Sequence, residues 1–151
     1  MAITRLNYTT DIDLGTNSLS LLLGGTTSAN ALDDYEEGTW TPTALNYDGT
    51  LTVDSATYVK VGALVTVKAK VTFDATVDGS GVNISSLPFV TTGVDKANGG
   101  FIVSSTVSSA SRMKAIGTGS LYLVAADDSN VSYTTMASTS LEFVMIYEST
   151  V

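Results

Sequence analysis

The segment from Ala63 to Phe73 constrains the fold more than any other part of this chain. Small or apolar side chains stand at every second position, and threonine and lysine fill the positions between them, with Leu64 as the one exception. This period of two is typical of a strand that buries one face, whereas an amphipathic helix repeats its apolar positions every ~3.6 residues. We therefore expect a strand that crosses a whole sheet and carries Lys68 and Lys70 on its solvent face.

Further strand patterns recur from Thr41 to the end of the chain, separated by turn sequences such as Asp48-Gly49. Residues 131–136 and 141–148 are interpreted as two of these strands, and no segment has the spacing of a helix. The composition agrees, because strand-forming residues are abundant and good helix formers never cluster. About eight to ten such strands predict an all-β fold, an antiparallel β-sandwich or jelly roll with an extended N-terminal arm.

Two regions are predicted, an N-terminal arm at residues 1–32 and the sandwich at residues 33–151. Apolar residues such as Leu19, Leu21 and Leu23 recur along the arm. They give it too much apolar surface for a solvated tail, yet the arm is too short to form a core of its own. Either it packs on the sandwich as extra strands, or a partner chain buries it, for example through identical arms around a symmetry axis. In the second case these leucines are interface anchors.

The residue types that the chain lacks exclude several kinds of chemistry. With no cysteine and no histidine, it cannot form Ser-His-Asp or Cys-His catalytic sites, disulfides, or zinc sites with those ligands. A net charge of −8 argues against binding to nucleic acid or to an anionic membrane, because both require a basic surface. The apolar run Leu19–Leu23 is far shorter than the ~20 residues that span a bilayer, and its surroundings do not resemble a signal peptide. No cofactor is expected.

Acidic residues form the clusters that could carry chemistry. Asp33, Asp34, Glu36 and Glu37 offer the oxygen ligands that Ca²⁺ prefers, but they lack the Asp-x-Asp-x-Asp-Gly spacing of a calcium loop. A solvated acidic turn at the hinge between the arm and the sandwich is the favoured interpretation.

Two carboxylate pairs, Asp11 with Asp13 and Asp127 with Asp128, could serve a glycosidase, which uses two acidic groups. Nothing in the sequence places either pair opposite another carboxylate in a cleft, and such pairs are common in turns. We therefore assign no catalytic residue.

Aromatic residues divide into predicted anchors and predicted contact residues. Trp40, the only tryptophan, and Tyr35 are interpreted as anchors of the core or of a subunit interface, because their burial removes a large apolar area from water. A sugar-stacking role for Trp40 is the alternative. Loops at one end of a sandwich are the usual place for recognition. On that basis the candidates for contact with a glycan are Tyr122, Tyr133, Asp127, Asp128 and Asn98.

Three motifs in a fixed order suggest a family. The first is ANALDDYEEGTWTPT at residues 29–43, the second is YVKVGALVTV at residues 58–67 and the third is SLPF at residues 86–89. Together they resemble a recurrent module of bacteriophage tail fibres and tailspikes, in which an LDDYEEGTWTPT junction opens a β-sandwich. The resemblance implies a non-enzymatic virion protein that forms homotrimers and either binds glycans on the host surface or caps a fibre.

The family module usually ends a long fibre, whereas here the first motif begins at residue 29. A short virion appendage, or a capsid-decorating protein that stabilises the particle, is therefore an alternative, with the arm docking on other virion proteins. A carboxylate-dependent polysaccharide depolymerase is the enzymatic alternative.

Overall fold

A computed structural model describes residues 21–22, 31–32, 34–91, 99–108, 110, 112–116 and 119–150. The chain divides into two compact units, Met1–Asp33 and Asp34–Val151. In the first unit, strand β1 (Leu21–Leu22) pairs in antiparallel fashion with strand β2 (Ala31–Leu32). The predicted anchor Leu21 therefore belongs to a short hairpin, while Leu19 and Leu23 lie outside the described residues.

The second unit is built from strands in two antiparallel sheets. The larger sheet has the strand order β3-β5-β6-β11-β8, and the smaller sheet has the order β4-β7-β10-β9. This architecture confirms the predicted all-β fold, an antiparallel sandwich. Its elements are β3 (Tyr35–Thr39), β4 (Thr43–Ala44), β5 (Leu51–Val61), β6 (Leu64–Phe73), β7 (Asn83–Ser85), β8 (Gly99–Ser105), β9 (Arg112–Ile116), β10 (Ser120–Val124), α1 (Tyr133–Met136) and β11 (Ser140–Glu148).

Strand β6 lies at the centre of the larger sheet and alternates as its sequence predicts. Its inward side chains, from Val65 to Phe73, are almost completely buried against the smaller sheet, while Lys68 and Lys70 are exposed. Leu64 lies an even number of positions from Lys68 and Lys70, so it is on the same solvent face of the strand. Strand β11 repeats the pattern beside it, with alternate residues from Leu141 to Tyr147 buried. These two strands supply much of the core.

Residues 131–136 correct the sequence interpretation, because they contain a helix in place of the predicted strand. The helix α1 spans one turn, and Ser132 caps it by accepting a hydrogen bond from the Thr135 N–H. Tyr133 and Met136 point into the core from this turn. No helix in the described ranges has the length and apolarity needed to cross a membrane.

The strand register distinguishes two ends of the sandwich. Tyr35 pairs with Val61 and Val61 pairs with Leu64, so the start of β3 and the β5–β6 turn share one end, which we call the junction end. Leu51 pairs with Phe73 at the opposite end, which we call the distal end. The loops at the distal end include residues 45–50, 74–82 and 125–139.

Candidate functional site

The part of the first motif that belongs to the sandwich unit, residues 34–43, forms one side of the sandwich. Its Tyr35–Thr39 segment is strand β3, at the edge of the larger sheet, and its Thr43 begins strand β4, at the edge of the smaller sheet. Between the two strands the chain crosses from one sheet to the other, with Trp40 only 8% exposed and Pro42 also buried. The Trp40 indole N–H donates to the Lys68 carbonyl oxygen at 3.4 Å. Trp40 therefore lies in the core, where a sugar could not stack on it.

The three motifs meet at the junction end in a group of side chains that we call the junction cluster: Asp34, Gly38, Tyr58, Lys60 and Phe89. Asp34 forms an ion pair with Lys60, and the Lys60 Nζ lies 5.4 Å from the centre of the Phe89 ring. Phe89 meets Tyr58 edge to face, with ring centres 5.3 Å apart. A Cβ at Gly38 would lie 3.0 Å from the Tyr58 ring. Glycine at this position therefore leaves room for the ring to lie over strand β3. Each motif thus contributes to one contact network.

Lys60 is the most unusual member of this cluster, because only 6% of it is exposed. Burying an ammonium group without a partner costs several kcal/mol, and it is tolerated when a carboxylate and an aromatic ring face it. Asp34 supplies the carboxylate, and its carbonyl oxygen also accepts a hydrogen bond of 2.8 Å from the Gly62 N–H. These contacts fix the position at which the N-terminal segment enters the sandwich.

The described acidic residues that were considered as Ca²⁺ ligands do not form one cluster, because strand β3 separates their side chains. Asp34 binds Lys60, whereas Glu36 and Glu37 lie on opposite faces of the strand, as successive residues must. The Tyr35 hydroxyl donates to a Glu37 carboxylate oxygen at 2.6 Å, which raises the pKa of Tyr35. The predicted acidic turn is therefore wrong, and the described part of the chain contains no group of three acidic residues placed to hold a metal ion. Asp33 lies outside that part.

At the distal end, Asp74 holds two loops together. Its carboxylate accepts hydrogen bonds from the Tyr47 hydroxyl at 2.7 Å, the Thr50 N–H at 2.6 Å and the Thr76 N–H at 2.9 Å. These bonds, that of Tyr47 first, hold the pKa of Asp74 well below its ordinary value. Burial, and then the bond to Asp74, raises the pKa of Tyr47 to about 12. Asp74 is thus ionised and structural at neutral pH.

A second distal carboxylate, that of Asp78, also accepts hydrogen bonds from loop residues. Asp78 accepts from the Ser80 N–H at 2.7 Å and the Asp48 N–H at 3.2 Å, and the contact with Ser80 lowers its pKa.

The predicted carboxylate pair is separated by its partners. Asp127 accepts from the Ser129 hydroxyl at 2.6 Å and from its N–H at 3.0 Å, which lowers the pKa of Asp127. Asp128 instead forms an ion pair with Arg112. Each carboxylate thus has its own partner, and Asp11 and Asp13 lie outside the described residues.

The predicted glycan contacts fall into different environments. Tyr133 is completely buried, so its assignment as a contact residue is wrong. Its hydroxyl accepts from the Asn83 N–H at 3.0 Å and lies 3.0 Å from the carbonyl oxygens of Leu45 and Asn83, either of which can accept its proton. Tyr122 is half-buried on strand β10, and Asp127 and Asp128 are exposed. These three residues remain accessible, and Asn98 is outside the described ranges.

Among the clefts formed by the described residues, two can be compared, and neither has a pair of acidic side chains. One runs between residues 41–44 and 49–53 and is lined by threonine, glycine, proline and aliphatic residues. The other is lined by Gly38, Thr57, Tyr58, Val59 and a single carboxylate, Glu37. Recognition by shape and hydrogen bonds is possible in both, but general acid–base chemistry with two carboxylates is not.

An exposed group of apolar side chains on the larger sheet was not recognised from the sequence. We call this group the apolar patch, and its members are between 39% and 57% exposed. The alternation of apolar and polar residues along the strands could have revealed this group, because each member stands at a position where the strand pattern predicts a polar residue. The patch comprises Tyr35, Val59, Val61, Leu64, Phe101 and Ile146.

Comparisons with known proteins give no match: no family model, no curated protein and no solved structure is significantly similar to this chain.

Proposed function

We propose that this chain is a non-enzymatic structural module of a bacteriophage virion, of the tail-fibre and tailspike type, that attaches the particle to the host surface as a homotrimer. The observation that carries the proposal is the junction cluster. The motifs on which the resemblance depends supply Asp34, Lys60 and Phe89, and Lys60 contacts both of the others. A set of motifs that forms one physical unit is stronger support than three separate short matches.

The junction cluster also suggests how the module is used. It anchors the first residues of the sandwich at one end, and the loops held by Asp74, Asp78 and Asp127 lie at the other. In this arrangement the N-terminal segment attaches the module to sister subunits or to other virion proteins, and the distal loops face the host. Symmetric copies then convert weak binding at single sites into firm attachment.

The distal carboxylates favour binding over hydrolysis. A glycosidase requires a general acid whose pKa is raised so that it carries a proton near neutral pH. The hydrogen bonds to Asp74, Asp78 and Asp127 have the opposite effect and lower each pKa. These groups are therefore suited to orienting loops and to accepting hydrogen bonds from a ligand.

Labelling of purified virions with an antibody against this chain tests the proposal directly. We expect label at the tail, and we expect the purified chain to compete with virions for adsorption to host cells. Label distributed over the capsid, together with loss of particle stability when the protein is missing, would instead identify a decoration protein. Release of reducing sugar from host polysaccharide, abolished by Asp127→Asn with Asp128→Asn, would overturn the non-enzymatic assignment.

A further inference from the structure

We propose that the apolar patch on the larger sheet is the surface through which the sandwich contacts a second copy of this chain. The inference rests on the proposed homotrimer, and it identifies the residues that would hold the sandwiches together.

The strand register places the patch in one continuous area. Tyr35 pairs with Val61, and Val61 pairs with Leu64, which forms one row across three strands. In the next row, Val59 and Ile146 flank Thr66 on either side.

A third row extends the area to the edge of the sheet. Lys68 pairs with Val144, and Val144 pairs with Phe101 on β8. Residues paired across antiparallel strands have Cβ atoms about 5 Å apart, so the apolar side chains of neighbouring rows form one surface.

The composition of this area differs from that of an ordinary solvent face. The outer face of an antiparallel sheet normally carries polar side chains that complete the inward and outward alternation. The distal half of this same face follows the rule, with Lys70, Thr72, Ser140 and Glu142 facing solvent. The half near the junction end departs from this rule, because the apolar patch lies there beside Glu37, Thr66, Lys68 and Glu148.

The edge strands give an independent indication of the same surface. Edge strands of soluble proteins are usually protected by charged side chains, because unpaired backbone groups invite pairing with another chain. Strand β3 has this protection from Glu36 and Glu37, whereas β8 has no charged residue and exposes Phe101 and Val103. A contact that covers the patch extends to Phe101, which stands on this edge strand.

The size of the face fits a copy of this chain. The five strands contain 5, 11, 10, 9 and 7 residues in sheet order, and at ~3.3 Å per residue and ~4.8 Å between strands the outer face has an area of about 670 Å². This is close to the ~800 Å² that each partner contributes to a standard protein–protein interface, so the contact would use the whole face. The apolar patch then forms the interface core, and the distal polar half forms part of the rim.

The charges of the face also favour a copy. The whole chain has a net charge of −8, so most of its surface repels another copy. The outer face instead combines Lys68 and Lys70 with Glu37, Glu142 and Glu148. Because both signs are present, copies of the chain can meet here without a large like-charge repulsion, and Lys70 can face a glutamate of a partner, whereas Lys68 already lies 3.4 Å from Glu142 of its own chain.

Sedimentation of the full chain tests this inference. We expect the wild type to sediment as a trimer and the Leu64→Lys, Phe101→Lys double variant to dissociate towards a single 15.7 kDa chain. Burying unpaired ammonium groups at an interface core should raise the dissociation constant about 100-fold or more. Val77→Lys is the matched control, since Val77 is an exposed apolar residue in a distal loop, and it should leave the trimer intact. Circular dichroism verifies that each variant is folded.

Cross-linking supplies a second measurement that preserves the interface. The chain has no cysteine, so a single introduced thiol reports one position. With a short bismaleimide, Ile146→Cys should give covalently linked chains in high yield, and Val77→Cys should not.

The outcomes separate this inference from the proposed function. A wild-type trimer that withstands both lysines, or that cross-links equally at residues 77 and 146, overturns the patch as the contact surface and leaves the virion role intact. A wild-type monomer overturns the patch and the homotrimer together, whereas a wild-type dimer that both lysines dissociate supports the patch and overturns the homotrimer. Failure of the virion role itself is recognised independently, by the absence of label on particles.

Discussion

At the scale of single residues, hydrogen-bond partners decide which aromatic side chains are buried. Tyr122 and Tyr133 are indistinguishable in the sequence as candidates for surface contact, because tyrosine has both an apolar ring and a polar tip. Tyr133 is buried because Asn83 and Leu45 satisfy its hydroxyl and because its ring stacks on Tyr47, with ring centres 4.3 Å apart. These partners are distant in sequence, so no local pattern reveals them.

Removing the Tyr133 hydroxyl should therefore be costly. In Tyr133→Phe the buried Asn83 N–H loses its partner, and we expect the free energy of unfolding to fall by about 1–3 kcal/mol. Urea denaturation followed by circular dichroism measures the change. Tyr122→Phe is the matched control and should stay within about 0.5 kcal/mol of the wild type. Equal losses in the two variants would contradict this account of Tyr133.

The pKa of Asp74 should respond to a single hydroxyl. Tyr47 makes the largest contribution to lowering it, so Tyr47→Phe should move the NMR titration midpoint of the Asp74 carboxyl upward, towards its ordinary 3.8. The midpoint should stay somewhat depressed, because the N–H groups of Thr50 and Thr76 still donate. Asp127, whose pKa is lowered by Ser129, is an internal control and should titrate as before. An unchanged midpoint for Asp74 would refute the assignment.

The same shift predicts how stability depends on pH. The folded-state pKa of Asp74 lies below its unfolded value, so its contribution is fully present above about pH 4 and is lost as the pH falls towards the folded-state pKa. We expect Asp74→Asn to be less stable than the wild type at pH 6 and to lose less stability between pH 4 and pH 2. Urea denaturation across this range measures both slopes, and parallel slopes would contradict the prediction.

At the scale of strands, alternation was informative wherever the backbone was regular. The patterns of β6 and β11 were read correctly because each buries one face over its full length. The sequence around Asp54 suggests two separate strands, but β5 is a single strand with a bulge between Val53 and Ser55. One extra residue reverses the parity of everything that follows, so a strict period of two cannot describe such a strand.

Strand β3 and helix α1 show where the sequence pattern was insufficient. The acidic residues of β3 resemble a turn, yet this segment is an edge strand whose charges remain in water. Helix α1 is one turn long, too short for a helical repeat to appear. The motifs identified the segments that form the site. The contacts of Lys60 with Asp34 and Phe89 depend on long-range strand pairing, which a single sequence does not specify.

Two adjacent glycines in β8 should differ sharply in their tolerance of a methyl group. A Cβ at Gly100 would lie 2.7 Å from the Met145 sulfur and 2.8 Å from the Met113 Cβ, where the two sheets approach closely. We expect Gly100→Ala to lower the free energy of unfolding by about 1–3 kcal/mol through overpacking. At Gly99 nothing lies within 4 Å, and Gly99→Ala should be neutral or stabilising by about 0.5 kcal/mol. Similar denaturation midpoints for the two variants would contradict this packing.

At the scale of the whole sandwich, different interactions hold the two ends. The chain enters at the junction end, where buried side chains hold Asp34, and the loops at the distal end are held by exposed or half-buried carboxylates. At the distal end only the exposed loop positions can vary without loss of the core, because Tyr133 and Met136 of the 125–139 loop are completely buried in it.

The ion pair of Asp34 with Lys60 should therefore contribute more to stability than the surface pair of Lys68 with Glu142. Because the Lys60 side chain is 8% exposed and that of Asp34 is 33% exposed, Asp34→Ala leaves a largely buried ammonium group unpaired. The full penalty for breaking a buried pair is about 3–5 kcal/mol, and access of water to Asp34 reduces our expectation to about 1–3 kcal/mol. Glu142→Ala, whose partner Lys68 is 56% exposed, should cost about 0–1 kcal/mol.

A second substitution distinguishes the cost of the unpaired Lys60 ammonium group from other effects of Asp34→Ala. Adding Lys60→Met removes the ammonium group and keeps an apolar side chain against Phe89, so the double variant should recover part of the lost stability. Urea denaturation of the full-length chains provides all of these values. If the double variant is less stable than Asp34→Ala alone, the ion pair does not anchor Asp34. The hydrogen bond from the Gly62 N–H to the Asp34 carbonyl oxygen would then have to hold this residue in place.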